Sequence, residues 1–264
     1  MIQKLRKYAV IARVSLSSAI AYRACLVSQF CFYALFVYVF TNLWRAIYRE
    51  GSVHGYDYAQ MVWYLIMTEF VTFACGTGIF RNMNEEVKSG SIAYQLGRPT
   101  HYVWYQFANS MGQVLLNFVG FGALAGILGL ILVGPLPTFR LAGLPALALS
   151  LALSILLNFF SLMLIGLSAF VLEDNFALFL IYQKASFMLG MFLPVEFLPA
   201  WLQQIAKSLP FSYIYWAPAK LFVDYSQEIC RELIPRQGAW AAAAIALTLA
   251  CYRLSVRRLQ VNGG

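Results

Sequence analysis

Six mostly apolar stretches, each about as long as a bilayer is thick, recur along this chain, and charged residues are largely confined to the intervals between them. A helix crossing the hydrocarbon core of a membrane needs roughly 20 such residues. The stretches cover 24–44, 58–80, 109–133, 141–172, 176–193 and 239–254. Of the 264 residues, 61% are hydrophobic and only 11% charged, whereas a soluble domain carries about 25% charge. So few charges cannot build a water-facing surface. A bilayer accepts apolar side chains, but it requires the backbone to satisfy its own hydrogen bonds. The fold class expected is therefore all-α integral membrane, with about six transmembrane helices in one domain over 1–264.

The formal net charge of +8 suits nucleic acid in principle, but its distribution does not. Lys4, Arg6, Lys7, Arg13 and Arg23 crowd the start, and Arg253, Arg257 and Arg258 close the chain. Both clusters flank apolar spans and read as topology signals and lipid-headgroup contacts, so no nucleic-acid partner is expected. With both termini inside, inner segments hold eleven Lys and Arg, among them Arg81, Lys88 and Arg98, against seven in outer ones. That imbalance predicts a multi-pass inner (plasma) membrane protein with both termini cytoplasmic. Arg13 and Arg23 interrupt any leader-like apolar run, so no cleavable signal is expected. Residues 1–22 read as an interfacial amphipathic helix, with Leu5, Tyr8, Ala12 and Leu16 near one face. The alternative is a frayed basic tail. The five cysteines form no CxxC pair and read as buried free thiols.

Two segments depart from the span pattern. The first, 81–100, is the most polar interval inside the chain. Ile79, Met83 and Val87 share helical spacing, while Glu85, Glu86 and Lys88 sit off that face. Gly90 suits a helix end and Pro99 a stop. This predicts a short amphipathic helix at the inner face, of the kind that lies in a groove on a soluble partner; a solvated loop is the alternative. The second, 194–238, carries Pro194, Pro199, Pro210, Pro218 and Pro235 among Trp201, Phe211, Tyr213, Tyr215 and Trp216. It is too apolar for a free loop and too broken for a simple span. Short helices that dip into the membrane and return fit it, because protein then covers the non-helical backbone.

The pattern Glu85, Glu86, Gly90, Ile92, Leu96, Arg98 and Pro99 resembles the cytoplasmic segment of ABC transporter permeases of type 2, the exporter-like class. A second match runs through Pro194, Glu196, Pro199 and Trp201 to Pro210, and resembles the family's re-entrant region before its last span. The resemblance implies a permease that exports a substrate, with a coupling helix docking on a separate ATPase. Met83, Glu85, Glu86, Val87, Gly90 and Arg98 are then the coupling candidates, and Pro194, Glu196, Pro199 and Pro210 the re-entrant ones. It also implies a second permease copy or a sister permease. No GxxxxGK[ST] occurs, so ATP and Mg are expected in the partner ATPase and no cofactor in this chain.

Other features leave alternatives open. Glu69 and Lys184 lie within spans, where a charge at the bilayer centre costs about 2.5–3.5 kcal/mol. They are candidates for a mutual pair, a polar path, or lone polar groups. Glu173 and Asp174 read as turn residues that also suit contact with the ATPase. Gly122 and Gly126 have the GxxxG spacing of close helix approach, within the chain or in a dimer. His54 and His101 lie in different loops, and no HExxH or GxSxG occurs, so no catalytic or metal site is expected. Competing functions are an ion-coupled carrier, which calls for an internal repeat not evident here, and a non-transporting membrane scaffold.

Overall fold

A computed structural model describes residues 2–21, 23–50, 55–98, 100–172 and 175–262. His54, Pro99, Glu173 and Asp174 lie outside the described residues. Eleven α-helices follow in order: α1 (Ile2–Ala21), α2 (Arg23–Ile47), α3 (Tyr58–Cys75), α4 (Gly78–Lys88), α5 (Ile92–Leu96), α6 (Tyr102–Leu132), α7 (Leu144–Leu167), α8 (Phe176–Ser186), α9 (Ala200–Ser208), α10 (Pro210–Val223) and α11 (Gln227–Asn262). No strand occurs among the described residues.

Five stretches are long and apolar enough to cross a membrane: Ala24–Ile47, Tyr58–Lys88, Tyr102–Leu132, Leu141–Phe170 and Gln227–Val256. The sixth expected span, 176–193, is a shorter apolar helix, Phe176–Met191. Its last turn is π-helical and bends at Gly190, where a Cβ would meet Cα of Ser212 at 2.8 Å. The third expected span begins at Tyr102 rather than 109 and reaches 31 residues, roughly 46 Å. The fourth, 141–172, is long enough to tilt or to be broken near Pro145, and it is not broken there. That proline stands in the first turn of α7, where its missing N–H leaves no bond unmade. The last helix starts at Gln227 rather than 239.

Local chemistry explains the boundaries. Asp57 caps α3: Gln60 N–H donates to Asp57 Oδ1 at 2.7 Å, and Asp57 N–H donates to Gln60 Oε1 at 3.0 Å. Gly76 ends the same helix with φ +63°, a left-handed conformation that favours glycine.

At the centre of the bundle lies α10, with Ser212 through Leu221 all buried against α3, α7 and α11. The Gln237 carboxamide holds this junction together. It donates to Tyr213 O at 2.9 Å, Ser150 O at 3.0 Å and Ser154 Oγ at 3.0 Å, and accepts from Ser150 Oγ at 2.8 Å.

Contacts sort the connections to two ends. At one end Phe80 of α4 stacks on Phe179 of α8, 4.2 Å between centroids, and Tyr102 lies parallel to Tyr252 of α11. At the other, Trp63 Nε1 donates to Gly134 O, Thr138 Oγ1 to Val223 O, and Lys220 Nζ to Tyr56 OH. The segments expected on the inner side thus share one end, and those expected on the outer side share the other.

The N-terminal helix does not lie free. The half-buried face of α1, through Tyr8, Ala12, Ser15 and Leu16, packs along α6, and Ser15 Oγ donates to Asn109 O. A Cβ on Gly112 would collide with the α1 backbone at Ala12 and Leu16. The GxxxG pair is not used this way, since a Cβ on Gly126 would meet nothing within 4 Å. Nor are all the thiols buried, because Cys25 and Cys31 are exposed on α2.

Gly112→Val is expected to push α1 off α6 and to cost about 1–3 kcal/mol, as overpacking does. A lowered thermal midpoint and loss of a Ser15→Cys/Asn109→Cys crosslink in that background check it.

Candidate functional site

The segment between α3 and α6 is two short helices pinned to the bundle by one face. After the break at Gly76, α4 turns Ile79, Phe80 and Met83 inward. Met83 is fully covered, its side chain against Gly166 of α7, and Val87 is half-buried on the same core. Glu85 and Lys88 face outward. Glu86 turns back: its carboxylate accepts from Tyr102 OH at 2.6 Å and from Gln106 Nε2 at 3.0 Å. Both donors are almost wholly buried on α6, so Glu86 fastens α4 to α6 with charge-assisted bonds.

Gly90 follows α4 with φ +73°, and its N–H donates to Val87 O at 3.1 Å. The next helix, α5, is anchored by Ile92 and leaves Tyr94 72% exposed. The Arg98 guanidinium lies over Tyr94 and Tyr105, 5.0 and 5.5 Å from the ring centroids. His101 packs on Tyr252. Burial and the nearby Arg253 charge lower its pKa from the ordinary value, so it is neutral at pH 7.

At the opposite end, Pro194, Pro199 and Pro210 start helices rather than breaking them, while Pro218 and Pro235 lie inside α10 and α11. Pro194 precedes the turn Val195–Phe197, Pro199 precedes α9, and Pro210 is the first residue of α10. Glu196 meets Lys220: Nζ lies 3.3 Å from Glu196 Oε1. Glu196 Oε2 accepts from Trp216 Nε1 at 3.2 Å. Lys220 Nζ also donates to Asp224 Oδ2 at 2.9 Å and Tyr56 OH at 3.0 Å. This cluster ties α10 to the turn before α9 and to the start of α3.

Glu69 and Lys184 do not pair. Glu69 is 3% exposed, on the buried part of α3. Lys184 stands on the exposed flank of α8.

Several residues of these clusters carry no sequence signal of their own. Tyr102, Gln106 and Lys220 belong to apolar runs, and only the fold reveals their partners. Tyr94 was legible in part, as a large aromatic inside the polar segment.

The fold defines the class: a polytopic, all-α membrane protein. The family model described as ABC-2 family transporter protein matches residues 30–263, and the chain belongs to that family. It is accordingly a membrane subunit of an ABC transporter, a class of transport component that associates with an ABC ATPase subunit. No curated protein matches the chain significantly.

Lys220→Met is expected to leave Glu196 and Asp224 without their shared cation. Both carboxylates are partly exposed, so the cost is about 2 kcal/mol rather than the 3–5 of a dry pair. Thermal unfolding in detergent measures it, and adding Glu196→Gln should restore part of the loss.

Proposed function

We propose that this chain is the permease half of an exporter at the inner membrane, driven by a separate ABC ATPase that grips α4 and α5. One observation carries the reading. A short helical hairpin with exposed Glu85 and Tyr94 is bound on its other face to α6, α7 and α8. A force applied to the exposed face is passed on through Glu86–Tyr102, Met83–Gly166 and Phe80–Phe179. Such contacts transmit motion because packed interiors shift as units rather than deforming continuously.

In this reading the α4–α5 end and both termini are cytoplasmic, and ATP and Mg act in the partner. The whole chain is one permease domain, working with a second copy or a sister permease. The segment 194–226 is a re-entrant pair, with α9 entering from the outer side and α10 returning. Its tip, Leu209–Pro210, is half-buried and is followed by Phe211 against Tyr182 of α8. Glu69, buried on α3, is the intramembrane polar group best placed to line a path. Lys184, on the open flank of α8, is placed for a neighbouring protomer or a headgroup.

Glu86 and Val87 hold the hairpin in place, so substitutions there mix docking with folding. Glu85 and Tyr94 separate the two. Glu85→Arg and Tyr94→Asp should each weaken ATPase binding about ten-fold, a change of ~1.4 kcal/mol, with the thermal midpoint unchanged. Co-purification of the co-expressed ATPase and its permease-stimulated hydrolysis read this out. Normal binding in both variants would refute the docking face. Ser91→Cys, at the exposed turn, should react with a membrane-impermeant maleimide only in inside-out vesicles; labelling from the outside sinks the orientation.

A further inference from the structure

Behind the hairpin, the described residues enclose a cavity of about 520 Å³, within the range of small-ligand sites. Its walls come from α1, α6, α7 and the α3–α4 junction. Six carboxamides line it: Asn82, Gln106, Asn109, Gln113, Asn117 and Asn158. No Asp, Glu, Lys, Arg or His is among the lining residues. A chain that is 61% hydrophobic has no packing reason to gather so many amides, because each buried polar group must find a partner.

Internal bonds orient part of the set. Asn117 Nδ2 donates to Phe73 O at 3.0 Å, Gln113 Nε2 to Asn117 Oδ1 at 2.7 Å, and Asn158 Nδ2 to Gly76 O at 3.2 Å. Gln106 Nε2 is held by Glu86 and Tyr102. The carbonyl oxygens of Gln106 and Gln113 remain as fixed acceptors. The carboxamides of Asn82 and Asn109 have no hydrogen-bond partner among the described residues, so each offers a donor and an acceptor.

We propose that this cavity binds an uncharged, hydroxyl-rich group, a glycosyl head being the type. A hydroxyl donates and accepts at once, as an amide does, so such a group pairs with every free position. An anionic head has no counter-charge there, since the charge behind the wall is the Glu86 carboxylate bonded to Gln106, and it bears the desolvation penalty alone. The wall from α1 is open at Ser18, which is exposed. The group can therefore belong to a free sugar or be carried on a lipid. The inference concerns binding by this chain alone and does not depend on the docking of an ATPase.

Equilibrium binding of radiolabelled octyl β-glucoside below its micellar concentration tests it, with octylphosphocholine as the charged-head control and the full chain held in amphipol. Saturable glucoside binding about ten-fold tighter than the control is expected. Asn109→Leu and Asn82→Leu, each removing one free amide, should weaken it about ten-fold at most, the worth of one or two hydrogen bonds. The conservative Asn109→Gln should keep most of it. Asn82 is on the exposed side of α4 with no bond to lose, so it decides the matter if Asn109→Leu fails to fold. Competition by glucose alone marks a free sugar, and competition only by alkyl glucosides marks a lipid-borne one; both support the proposal. Equal affinity for the two heads, binding untouched by the substitutions, or no saturable binding overturns it.

Discussion

A helix buried inside a membrane bundle has no water to turn to, and α10 is such a helix. Nearly every residue of α10 is covered, so its polar groups depend on what the neighbouring helices offer. The Gln237 carboxamide reaches Tyr213 O from α11. Tyr64 OH of α3 donates to Gly190 O at 2.6 Å, beside the place where α10 begins. At the far end of α10, Lys220 is met by Tyr56, Glu196 and Asp224. An unmet polar group in that setting costs several kcal/mol. The arrangement of α3, α7, α8 and α11 around α10 is thus specified by polar geometry as much as by apolar packing.

The α4–α5 hairpin follows a different logic. It is amphipathic rather than enclosed, with Met83 and Phe80 buried and Glu85 and Tyr94 outside. Its attachments are of three kinds: an aromatic stack on α8, a thioether against a glycine of α7, and a carboxylate bonded to α6. The Gly76 break separates it from α3, so α4 can be moved without bending that helix. The same break forms part of the carboxamide-lined cavity. Displacement of α4 therefore changes the shape of that cavity directly.

Much of this plan was legible in the amino-acid order. The spans, the amphipathic 81–100 interval and the proline-punctuated 194–238 region stand out by composition and spacing. The reading of Ile79, Met83 and Val87 as one face needs only the helical period. Where alternatives stood open, the outcome has a physical cause. The long fourth span leaves a tilt or a break near Pro145 open, and no break occurs because a proline in the first turn leaves no donor unsatisfied. A Glu69–Lys184 pair is one of the readings that two charges in spans allow, but a span's apolar run does not say which way each side chain faces. Glu86 reads as surface because acids in polar segments usually are; Tyr102 and Gln106, 16 and 20 residues onward, turn it inward.

By itself, the sequence determined that the chain lives in a bilayer, that its backbone is helical, and where its polar interruptions fall. These are local consequences of hydropathy, period and turn chemistry, and they need no knowledge of neighbours. Only the tertiary structure decided which carboxylates are anchors and which are exposed, that α10 is the buried centre, and that six amides from three helices converge on one cavity. Those outcomes depend on contacts between residues far apart in the chain, and no local pattern encodes the distance between them.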